Sequence, residues 1–87
     1  MPIIELPAAL RAHTAGKAKL AIEATTVGEA LTTLSKLHPA LESVLFNGTS
    51  LKRTIGVFLD DEDVRAEPQR TLKPDDVLVL IAAMAGG

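Results

Sequence analysis

The segment Val77-Leu78-Val79-Leu80-Ile81 is apolar at every position, and Ala82-Ala83-Met84-Ala85-Gly86-Gly87 follows it to the end of the sequence. A strand without a polar side belongs in the middle of a sheet, where both of its faces are covered. Lys73-Pro74-Asp75-Asp76 supplies the turn that leads into it.

Reading backwards, Thr54-Ile55-Gly56-Val57-Phe58-Leu59 alternates Ile55, Val57 and Leu59 against Gly56 and Phe58. That period of two marks a third strand, and Asp60-Asp61-Glu62-Asp63 turns it into a short successor at Val64-Arg65. Thr26 and Glu29 have capping-box spacing, so a helix starts near Val27. Its apolar stripe is Val27, Ala30, Leu31, Leu34 and Leu37, and Pro39 ends it near His38. Residues 41–46 form a second apolar segment of about one helical turn, closed by Asn47-Gly48-Thr49-Ser50. Residues 2–6 read as a first strand ended by Pro7, and Lys17-Ala18-Lys19-Leu20-Ala21-Ile22-Glu23 as a second that forms a hairpin with it. The expected fold class is α+β: a mixed four- to five-stranded sheet packed on one main helix over residues 1–82, with residues 83–87 as a flexible tail.

The 87 residues have room for one modest core, and 47% hydrophobic with 23% charged residues is a folded composition. A net charge of -2, with only Phe46 and Phe58 as aromatics, argues against nucleic acid as a partner. No cysteine is present, which excludes disulfides, thiolate metal sites and cysteine nucleophiles. The longest apolar run falls far short of the ~20 residues of a membrane span, and the N-terminus lacks a signal pattern, so a cytoplasmic protein without membrane partners is expected.

Few groups are left for chemistry. His13 and His38 lie in different elements with no carboxylate or serine at metal or triad spacing, and read as surface residues. The Asp60-Asp61-Glu62-Asp63 run lacks the glycine and distal glutamate of a calcium loop and reads as a solvated turn; no metal site is assigned. Arg11, Arg53, Arg65 and Arg70 are scattered. What stands out is the terminal Gly86-Gly87 pair: backbone without Cβ atoms can pass a constriction in another protein, and residues 82–87 reach roughly 20 Å if extended. A frayed end is the plain alternative. Phe58, Leu78 and Leu80 are placed opposite Ile55, Val57, Val79 and Ile81, as an apolar patch that docks a partner or is covered by the chain's own loops. Exposure of Phe58 decides between those.

The order strand, strand, helix, strand, strand ahead of a terminal Gly86-Gly87 resembles the ThiS/MoaD family of β-grasp sulfur carriers. Leu10-Arg11-Ala12-His13-Thr14-Ala15-Gly16 and Leu59-Asp60-Asp61-Glu62-Asp63-Val64-Arg65 are similar to segments of its MoaD-like branch, which includes cysteine-biosynthesis carriers. Ala82-Ala83-Met84-Ala85 departs from the prolines many MoaD-type members carry there, which weakens an assignment to molybdopterin synthesis. The resemblance implies a protein co-substrate, not an enzyme, with no permanently bound cofactor. An E1-like adenylyltransferase/sulfurtransferase would use ATP to adenylate the Gly87 carboxylate, and a sulfur donor would convert it to a thiocarboxylate for a sulfur-accepting biosynthetic enzyme. Ala85 and Gly86 would complete the tail. Phe58, Leu78, Leu80 and Met84 would meet partners, and a metalloprotease or hydrolase acting at the tail is a further candidate. Two other readings stand beside it: a ubiquitin-like modifier joined to lysines through Gly87, and a β-grasp interaction domain with incidental glycines.

Overall fold

The structure is a computed structural model that describes residues 1–82. Strand β1 (Ile3–Glu5) pairs antiparallel with β2 (Lys19–Ala21), Ile4 opposite Leu20, which is the expected hairpin. The connection between them holds a 3-10 helix, Ala8–Thr14, that buries Leu10 and Thr14.

Helix α1 (Val27–Leu37) starts where the capping pattern predicts. The Thr26 hydroxyl accepts from the Glu29 N–H at 3.2 Å, while the Glu29 carboxylate accepts from Thr25 at 2.7 Å, one residue further out than in the usual box. Val27, Ala30, Leu31 and Leu34 are buried, but Leu37 is exposed and Ser35 takes an inward position. Pro39 does more than end α1. It is the first residue of α2 (Pro39–Leu45), where its fixed φ suits a helix start and its missing N–H costs nothing. Helix α2 packs on α1 and contributes the fully buried Leu41 and Leu45, so the expected single turn is two turns.

A small hairpin follows, β3 (Phe46–Asn47) with β4 (Ser50–Leu51). Strand β5 (Ile55–Leu59) buries Ile55, Val57 and Leu59. Its successor is β6 (Glu62–Asp63), two residues ahead of the expected Val64-Arg65. Asp60 (φ 51) and Asp61 (φ 66) make the whole turn, because a two-residue loop with both φ positive matches the twist of paired strands. Left-handed backbone costs an L-residue about 1–2 kcal/mol without a compensating local bond. Asp60→Asn with Asp61→Gly is therefore expected to stabilise the fold by about 1 kcal/mol, read as a higher midpoint in thermal denaturation.

Strand β7 (Val77–Ala82) lies between β1 and β5 in the order β2-β1-β7-β5-β6, parallel to β1 and antiparallel to β5. The all-apolar segment is thus the central strand, and the arrangement is the expected β-grasp. Across the helical side run the core residues Ile4, Leu20, Val57, Leu78 and Leu80, against Val27, Ala30, Leu31 and Leu34. The start of α1 is strapped by the loop between β6 and β7: the Val27 N–H donates to the Arg70 carbonyl and the Gly28 N–H to the Pro68 carbonyl. A Cβ at Gly28 would sit 3.1 Å from both the Pro68 carbonyl oxygen and its Cβ, so a larger residue there requires Pro68 to move by a few tenths of an ångström.

Arg65 has a structural task that the sequence does not show. Its guanidinium donates to the carbonyls of Leu51, Lys52 and Ile55, tying the turn between β4 and β5 to the segment that leaves β6. Removing it leaves three carbonyls without this donor, and each orphaned buried polar group costs about 1–3 kcal/mol where water does not replace the bond. Arg65→Ala is expected to cost about 3 kcal/mol in denaturant unfolding, and Arg65→Lys, with one compact ammonium in place of a fork, to recover less than half.

Candidate functional site

The site is built from two parts, the strand that carries the tail and the sheet face beside it. Strand β7 is bonded on both sides, by Ile3 opposite Val77 and by Phe58 opposite Val79, and its last residue Ala82 pairs with Ile55. The tail therefore begins from the middle of the sheet, not from an edge. Met84, Ala85, Gly86 and Gly87 lie outside the described residues.

The strand registers settle which residues share the face turned away from the helices. Directly paired residues point the same way, so Phe58 goes with Val79, Gly56 with Ile81, and Ile3 with Val77. Val77 is 40% and Ile81 47% exposed, while Ile3, Val79 and Phe58 are half-buried. The outer face is an apolar strip with Glu5 and Lys19 at the β2 side and Asp63 at the β6 side, each in the row that contains Val79 and Phe58. The face is open at Val77 and Ile81, whereas Phe58 is half-buried, between the docking and the covered reading.

Leu78 and Leu80 do not belong to this strip. They pair with Leu59 and Val57, point to the helices and are 0% and 1% exposed, so they are core residues. The outward residues of β7 are Val77, Val79 and Ile81. In a strand apolar on both sides the alternation carries no parity, and the register against β1 and β5 reveals it.

No group of three or more His, Cys, Asp or Glu side chains placed to hold a metal ion occurs among the described residues. Glu62 is held below the ordinary carboxylate range by the hydrogen bonds and charge of Arg70, which also pairs with Glu67; all three side chains are solvent-accessible. A groove among the described residues runs past Pro2, Glu23, Thr25, Glu29, Leu72 and Pro74, with no imidazole, lysine or arginine in its lining. No helix among the described residues is long and apolar enough to cross a membrane.

The sequence matches the family model described as ThiS family over residues 4–87. No curated protein matches it. Among solved structures, the chain is similar to one from the BexX/CysO complex of Amycolatopsis orientalis, at 30% identity and TM-score 0.86 over 100% of both chains. It is similar to SAMP1 from Haloferax volcanii, at 31% identity and TM-score 0.84 over 99% of this chain and 98% of that one. Mycobacterium tuberculosis CysO shares the fold, at 22% identity and TM-score 0.83 over 97% of this chain and 100% of that one.

Proposed function

Because the chain belongs to the ThiS family of ubiquitin-like carrier proteins, we propose that it is a sulfur carrier whose reactive group is the Gly87 carboxylate. The observation that carries this reading is the extent of the family match, which runs to residue 87 and so includes Gly86-Gly87. It agrees with a chain that has no cysteine and whose described residues hold no metal cluster.

The chemistry follows from the state of a terminal carboxylate. With an ordinary pKa near 3.5 it is an anion at neutral pH and a poor acyl electrophile. An activating enzyme supplies ATP; the Gly87 carboxylate oxygen attacks the α-phosphorus, pyrophosphate leaves, and an acyl adenylate forms. A sulfur nucleophile then attacks the acyl carbon, AMP departs, and the terminus becomes a thiocarboxylate that a biosynthetic enzyme consumes. The carrier is a co-substrate in this cycle and provides no catalytic side chain. Its own contribution is presentation: the strip of Val77, Val79, Ile81, Phe58 and Ile3 docks the activating enzyme, and β7 directs the tail toward its active site.

Intact-mass measurement after incubation with ATP, the cognate activating enzyme and a sulfide source tests the reading. Replacement of one carboxylate oxygen by sulfur is expected, and an unchanged mass with a competent enzyme overturns it. A second reading rests on the likeness to a small archaeal modifier protein of H. volcanii, 30% identical at TM-score 0.83. There the same activated Gly87 acylates a lysine amine, and Gly87-linked conjugates on a denaturing gel would identify that route.

A further inference from the structure

Strand β5 carries a glycine in the middle of a sheet, where Gly is ordinarily unfavourable because it offers no side chain to pack. Its φ is not in the left-handed region that favours glycine, so backbone conformation gives no reason for it. The reason lies above it. The point that a Cβ would occupy at Gly56 is 3.1 Å from Phe58 Cε1, 3.8 Å from Phe58 Cδ1 and 3.6 Å from Ile81 Cβ. The Phe58 ring therefore lies back along its own strand, over Gly56 and toward the outward side chain of β7.

We propose that Gly56 is a positioning residue for partner docking: its missing Cβ leaves room for the Phe58 ring to reach back over position 56 toward Ile81, which makes the outer strip of the sheet a flush docking surface. This rests on the docking role given above to that strip. A ring laid along the strand joins Phe58, Val79 and Ile81 into one continuous apolar area, whereas a ring standing off the sheet would leave a notch over position 56. Interface cores need packing as close as a protein interior, so the partner senses this difference. The close contact is with the far end of a rotatable side chain and not with backbone, so an added methyl is accommodated by moving the ring and not by opening the ladder.

The test has a structural and a functional arm. In the free protein, Gly56→Ala is expected to shift the Ile81 methyl and Phe58 ring resonances by NMR, while the thermal midpoint changes by only a few degrees. With the activating enzyme, Gly56→Ala is expected to raise the carrier's KM roughly tenfold with little change in kcat, since docking and not chemistry is affected. Once the ring is gone Gly56 has nothing to position, so in a Phe58→Ala background the same change is expected to leave KM where Phe58→Ala alone puts it. An unchanged KM for Gly56→Ala, or a full tenfold effect persisting without the ring, overturns the proposal. If Gly56→Ala does not fold, Phe58→Ala with Gly56→Ala is expected to fold, and its failure also overturns it. Absence of any turnover by the wild-type carrier refutes the carrier reading instead; the resonance shifts then decide the ring geometry alone, and unmoved shifts end the proposal as well.

Discussion

Deletion of Gly86 and Gly87 is expected to take thiocarboxylate formation below detection while leaving the thermal midpoint within a degree or two of the full-length protein. The core from Ile4 to Leu80 and every described strand lie upstream of the deletion, so the described core and strands are kept whole. Activation loses everything it uses, because the new terminal carboxylate is set back by two residues, about 7 Å of extended chain. Even a 1 Å misplacement of a reacting group costs on the order of a hundredfold. One alanine added after Gly87 gives a second form of the same result: the Gly87 carbonyl becomes an amide, and the free carboxylate advances by about 3.5 Å. Intact mass reads both. A truncated or extended carrier that still gains sulfur would remove Gly87 from the mechanism.

Leu80→Ala and Ile81→Asp are expected to fail in opposite ways, although the residues are neighbours on one strand. Leu80 is 1% exposed and sits opposite Val57 in the core. Its truncation should cost about 2–5 kcal/mol, a large part of the 5–15 kcal/mol that holds an ordinary domain together. Ile81 is 47% exposed opposite Gly56, so an aspartate there keeps its carboxylate in water and should change stability by less than about 1 kcal/mol. Binding to the activating enzyme should nevertheless weaken by more than tenfold, because docking would strip water from that charge without supplying a partner. Denaturant unfolding and a binding titration on the two variants separate the roles. A destabilised Ile81→Asp protein, or a stable Leu80→Ala protein defective only in binding, would reverse the assignment of the two faces.

The contrast shows where the sequence is informative. The helix start was legible because capping is local: Thr26 and Glu29 are three residues apart and their bonds form within one turn. The central position of β7 was legible from its all-apolar run, but the expectation that both faces are covered fails, since Val77 and Ile81 are exposed on the side away from the helices. Which side of β7 faces the core was not legible, and Leu78 and Leu80 were misplaced for that reason. The answer depends on a register between segments about twenty residues apart, and both parities look equally apolar. Pro39 was legible as the end of one helix but not as the start of another, since the same fixed φ serves both. Arg65 was opaque for a different reason: its partners are backbone carbonyls 10–14 residues away, which carry no residue identity. Of the candidate site, the terminal diglycine was visible as a motif, whereas the docking strip needed the strand pairing, and Gly56 needed the position of a ring.

The parallel pairing of β1 with β7 also determines how the domain bears load. A partner that grips the tail and pulls does so along the axis of β7, which is bonded to β1 on one side and to β5 on the other. Tension in that direction cannot peel hydrogen bonds away one after another, as it would at a free edge. It must shear both ladders at once, so force is shared across all of their bonds. Load applied to β7 along its own axis is therefore resisted by the whole sheet, and not by one edge of it.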